Sequence, residues 1–128
     1  MATTKKPTIA LLNDSSDENA FINKTREFEQ AGVTALTLSG LDMDATFRFI
    51  SMADALYIFN HDDDITSFAV VAVGYAQAKL KPTFSEIEPS NPDLKPLLRQ
   101  ASVPAIKADL RDILRRQEAG SRAAEKGD

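Results

Sequence analysis

The sequence predicts an α/β three-layer sandwich with a five-stranded parallel sheet. Two observations carry that expectation. Short apolar runs alternate with longer amphipathic stretches along the chain, and the clearest run, Ala55-Leu56-Tyr57-Ile58-Phe59, is apolar throughout. A strand that shows no polar alternation meets no water on either side, which is the situation inside a parallel sheet covered by helices.

The elements follow in order. Pro7 to Asn13 reads as a buried first strand, closed by the turn Asn-Asp-Ser-Ser. Ser15 and Glu18 have the spacing of a capping box for a helix over Asp17 to Gln30. Ala20, Phe21, Thr25 and Phe28 form its inner face, and Ala31-Gly32 ends it. Val33 to Leu38 is a second strand, with Ser39-Gly40 as punctuation. Asp42 to Met52 is a helix turning Met43, Phe47 and Ile50 inward. After the third strand, Ile65 to Lys79 is apolar nearly all round. A helix without a polar face is buried on several sides, so a homo-oligomer through residues 65–79 is expected. Lys81 to Ser85 is a fourth strand, Leu94 to Gln100 a short helix with Pro96 in its first turn, Val103 to Lys107 a fifth strand and Asp109 to Gln117 the closing helix. Residues 1–118 are thus read as one domain, and residues 119–128, which lack apolar periodicity, as a flexible C-terminal tail.

Bulk properties narrow the function. The chain has 128 residues and a formal net charge of −4, with no basic stripe that would favour nucleic acid or an anionic membrane surface. No cysteine is present, which removes disulfides, thiolate metal sites and a cysteine nucleophile, and fits a cytoplasmic location. The longest uncharged stretch, Ile65 to Ala78, is shorter than the roughly 20 residues that span a bilayer.

Ligands of such sheets bind at the carboxyl ends of the strands. The first loop, Asn13-Asp14-Ser15-Ser16-Asp17, has no glycine and two aspartates, so it is a poor phosphate cradle. Asn13 and Asp14 remain able to hydrogen-bond a neutral ligand. The third-strand loop, Asn60-His61-Asp62-Asp63-Asp64, holds the only histidine beside three acids. Asp62 or Asp64 could serve as a general base, Asn60, His61 and Asp64 could orient a sugar hydroxyl, and Asp64 could equally cap the next helix. Ser67, Ser85 and Glu86 complete the candidate ligand residues. No Walker, Gly-x-Gly-x-x-Gly, Gly-x-Ser-x-Gly or paired-histidine motif occurs, and no cofactor or metal is expected.

Ala53-Asp54-Ala55-Leu56-Tyr57-Ile58-Phe59-Asn60, Gly74-Tyr75-Ala76-Gln77-Ala78 and Lys81-Pro82 resemble the nucleoside 2-deoxyribosyltransferase-like superfamily. The resemblance implies a flavodoxin-like, Rossmann-like fold and a site for a nucleoside, nucleotide or related sugar compound. The family's nucleophilic glutamate, two residues before the glycine, is Ala72 here, and its Gly-Lys-Pro is Leu80-Lys81-Pro82. A methyl group cannot form a glycosyl-enzyme, so binding without covalent transfer is expected. An N-glycosidic hydrolase using Asp62 or Asp64 is the enzymatic alternative. A third reading is a divergent receiver-like signalling domain, from Asp14, Asp62, Ser85 and Lys107 at strand ends, although strand three ends in Asn60 where that family has its acceptor acid.

Overall fold

The computed structural model describes residues 6–38, 40–62 and 65–126. Strands β1 (Thr8–Asn13), β2 (Thr34–Thr37), β3 (Ala55–Phe59), β4 (Thr83–Ser85) and β5 (Arg99–Gln100) form one sheet. All pairings are parallel and the spatial order is β2-β1-β3-β4-β5. Helices α1 (Glu18–Gln30), α2 (Met43–Met52), α3 (Ser67–Ala78) and α4 (Val103–Lys126) cover it. This is the flavodoxin-like, Rossmann-like three-layer sandwich that the alternation predicts. No described helix is long and apolar enough to cross a membrane.

Strand alternation divides the core in two. Ala10, Leu12, Leu56 and Ile58 face α2 and α3, meeting Ile50, Ala69, Ala72, Val73 and Ala76. Ile9, Leu11, Tyr57 and Phe59 face α1 and α4, meeting Phe21, Phe28, Val103, Ile106 and Leu110. β3 is buried at every position because both sets converge on it. Asp54, which precedes it, accepts the Thr8 amide at 2.8 Å and so fixes the register between β3 and β1. In α2, Ile50 and Thr46 are buried, while Phe47 stacks on Tyr75 of α3 with ring centroids 4.1 Å apart. The apolar composition of α3 is only partly used within the chain, since Val70 and Val71 stay exposed.

Several local expectations are corrected. The N-cap of α1 is Asp17, whose side chain accepts the Ala20 amide; Ser15 is instead hydrogen-bonded to Asn13, so the Ser15–Glu18 capping box does not form. Leu94 to Gln100 is no helix: residues 92–97 are turns, and Arg99–Gln100 are themselves the fifth strand. Val103 to Lys107 is then the first part of α4, where Val103, Ile106, Leu110 and Leu114 recur at helical spacing and are buried. The backbone of α4 itself extends to Lys126.

α1 and α3 end in the same way. After α1 the Gly32 amide donates to Glu29 and the Val33 amide to Phe28, the two bonds of a Schellman motif, with Gly32 at φ +88°. After α3 the Leu80 amide donates to Gln77 and the Lys81 amide to Ala76, and Leu80 takes the left-handed position at φ 59°. A branched side chain there is strained, and Leu80 is 91% exposed, so its side chain gains almost nothing in return. Leu80→Gly is expected to stabilise the domain by about 0.5–1 kcal/mol, read as a higher urea midpoint with an unchanged m-value.

Candidate functional site

The chain leaves β1 for β2 on one side and returns across it to β3 on the other, so the topological switch lies between β1 and β3. The loops after these strands carry the expected site residues, and they are bonded to one another. Asp14 accepts the Thr66 amide at 2.9 Å and the Thr66 hydroxyl at 2.7 Å. Asp62 accepts the Ser16 amide at 3.2 Å and its hydroxyl at 3.1 Å. Asn13 Oδ1 accepts both the amide and the hydroxyl of Ser15. Thr66 caps α3 through the Ala69 amide. Polar groups in places suited to a ligand are thus engaged in closing the β1 and β3 loops onto each other.

Asn60 is wholly buried, and its side chain is saturated in the same manner. Its Oδ1 accepts the Glu86 and Ile87 amides at 3.1 and 3.0 Å, and its Nδ2 donates to the Ile87 carbonyl at 2.9 Å. It is the strut that joins the β3 loop to the β4 loop. His61 stacks on Phe59, ring centroids 5.5 Å apart, and places Nδ1 3.2 Å from Glu86 Oε2. Ser67 is exposed in the first turn of α3. Ser85 is fully buried with no hydrogen-bond partner for its hydroxyl, and alternation from Phe84 turns it to the α3 side of the sheet. Asp63 and Asp64 lie outside the described residues.

Two expectations about chemistry change here. Ala72, at the nucleophile position implied by the resemblance, is 0% exposed and packed in the core under β3, away from any opening. Lys107 does not stand at a strand end beside the acids. It is on α4, with Nζ 3.7 Å from where a Cβ would sit at Gly32, at the far end of α1 from the rim. Among the described residues no group of three or more His, Asp or Glu side chains could hold a metal ion.

One open cleft lies beside the rim, on the α1 and α4 side of the sheet. A cleft of about 350 Å³ is lined by Lys24, Tyr57, Glu86, Gln100, Ala101 and Ser102. That is the lower end of the range for small-molecule sites. Tyr57 belongs to β3 and is 1% exposed, and its ring meets Phe28 edge-on at 5.2 Å. Burial above all, helped by the carboxylates of Glu86 and Glu27, raises its pKa well above the usual phenol value. The hydroxyl therefore stays protonated and available as a donor. Lys24 sits on the inner face of α1 between Phe21 and Phe28, with Nζ 3.3 Å from Glu27. Gln100 spends its amide nitrogen on the Glu86 carbonyl at 3.2 Å, which leaves its oxygen to accept.

A second groove of about 440 Å³ runs along the other side of α1, lined by Asn13, Glu18, Ile22, Arg26 and Thr37 among others. It contains no fully buried polar group. Sequence reasoning missed Lys24, Tyr57, Gln100 and Ser102. Two signals were present: a lysine three residues after Phe21 and four before Phe28, on the apolar face, and a polar-tipped ring within an otherwise apolar strand. Comparison with protein-family models and with curated proteins returns no match for this chain.

Proposed function

We propose that the chain is a nucleoside 2-deoxyribosyltransferase-like binding domain. It holds a nucleoside, nucleotide or related sugar compound without covalent glycosyl transfer. The observation that carries this reading is Tyr57: a buried tyrosine on the wall of a cleft at the carboxyl edge of the sheet, with Lys24, Glu86 and Gln100 beside it. Lys24 and Tyr57 supply donors, and Glu86 and Gln100 supply acceptors, a set suited to hydroxyl and amide groups. Covalent transfer has no support, because Ala72 offers no nucleophile and does not border the cleft.

The hydrolytic alternative is weaker. Asp62 is exposed on the rim with one carboxylate oxygen committed to Ser16, and it does not line the cleft. The receiver-like alternative loses its lysine, as Lys107 is by Gly32. Oligomerisation is part of the proposal, with the exposed Val70 and Val71 face of α3 as the place where a second copy would pack.

Tyr57→Phe separates binding from folding. Removal of the hydroxyl should leave stability within about 0.5 kcal/mol of the parent or raise it slightly. It should weaken the ligand roughly tenfold, the loss of one hydrogen bond. Titration of a nucleoside and nucleotide panel by calorimetry, with chromatography for released base, reads both claims. Binding that ignores Tyr57→Phe would move the site elsewhere. Base release abolished by Asp62→Asn would replace the binding domain by a hydrolase.

A further inference from the structure

On the reading that the cleft between α1 and α4 is the ligand site, we propose that it selects uncharged ligands over their anionic forms. Glu86 is the residue that sets this preference. The side chain is held on a rigid base. Its backbone amide donates to Asn60 Oδ1 at 3.1 Å and to the Ile58 carbonyl at 3.2 Å, and its own carbonyl accepts from Gln100. Its side chain is only 21% exposed, so its charge is weakly screened by water.

The cations nearby do not reverse the balance. Among the described residues Lys24 is the only lysine or arginine lining the cleft, and its ammonium is already 3.3 Å from the Glu27 carboxylate. His61 faces Glu86 at 3.2 Å and adds a positive charge only when protonated. With a neutral imidazole, one ammonium is set against two carboxylates. The Tyr57 phenol responds in the same sense: after burial, the charges that hold its proton are those of Glu86 and Glu27. A phosphate or carboxylate entering the cleft would meet the same field. A hydroxyl or carbonyl oxygen would accept from Tyr57 without opposing it. Ser102 caps α4 by accepting the Ala105 amide, and Pro104 has no N–H, so the start of α4 offers few free donors to an anion.

The test is calorimetric titration of the common deoxynucleosides and their 5′-monophosphates, at pH 8 and low ionic strength. At least one nucleoside should bind, and its monophosphate should bind more weakly by roughly tenfold or more, a gap that added salt narrows. Glu86→Gln keeps the backbone hydrogen bonds and should close most of that gap by tightening the monophosphate. Monophosphates that bind the parent as well as nucleosides do, or a gap that Glu86→Gln leaves unchanged, would overturn charge selection while the cleft stands. If no nucleoside or monophosphate binds at all, the proposed function falls and charge selection falls with it.

Discussion

Ala72→Glu is expected to prevent the domain from folding. The position lies in the core formed by Leu12, Leu56, Ile58, Val73 and Ala76, and it is 0% exposed. A glutamate there has no room and no partner. Ionised, it pays the cost of dehydrating a charge; protonated, it leaves a buried carboxyl unsatisfied and still overfills the site. A loss of at least about 4 kcal/mol is expected, enough to abolish most of a small domain's stability. Loss of the native circular-dichroism signal, or recovery only as aggregate, would register it. The control is Ala78→Glu, the same substitution at the exposed end of α3, which should cost less than about 1 kcal/mol. The outcome bears on function as well. A folded Ala72→Glu protein would mean that the position opens on a cavity and could carry a carboxylate, which the proposed binding-only reading excludes. Failure to fold keeps that reading.

The contrast between Ala72 and Asp14 shows what could be read from the chain. The first four strands and the first three helices lie where the apolar runs put them, since β1 and β3 are buried on both faces and α1 ends at Gly32. β5 was misplaced for a physical reason. Val103-Pro-Ala-Ile-Lys is apolar and short, which resembles a strand, but the decisive spacing runs on through Leu110 and Leu114 as a helix. The true β5, Arg99–Gln100, is a two-residue edge strand with both side chains exposed, defined by backbone pairing to Phe84 and Ser85. Such an element leaves no hydrophobic signature. The rim was legible as a location, because the loops follow from the strands. Its carboxylates were not legible as to role: Asp14 serves Thr66 and Asp62 serves Ser16 across separations of 52 and 46 residues, and only the folded chain brings those hydroxyls within reach. Tyr57 was hidden in the opposite way. It reads as one more apolar residue of β3, and only the folded chain sets it beside Lys24, Glu86 and Gln100 on the wall of a cleft.

Asn60→Ala is expected to destabilise the domain by about 3–4 kcal/mol, an unusually large effect for the loss of a polar side chain at a strand end. The three bonds at 2.9 to 3.1 Å satisfy two backbone amides and one carbonyl at Glu86 and Ile87, and Asn60 is fully buried. Truncation removes both bonds of the Ile87 backbone to this side chain and leaves the Glu86 amide only its bond to the Ile58 carbonyl, and the cost of the orphaned groups exceeds the worth of the bonds. Urea unfolding gives the number, and the effect should also reach the cleft, because Glu86 loses one of the bonds that hold its backbone. Asn60→Asp sharpens the case. It is nearly isosteric, but it turns the amide donor to Ile87 into a carboxylate facing a carbonyl, so burial and repulsion raise the new carboxyl's pKa above its unfolded value. By linkage the unfolded chain then releases its proton first, and the deficit relative to the parent grows as pH rises through the carboxylate range. It should shrink again as pH falls and the protonated oxygen recovers a donor for Ile87. A uniform deficit from pH 4 to pH 8 would mean that water reaches position 60, and the strut between the β3 and β4 loops would be weaker than its geometry implies.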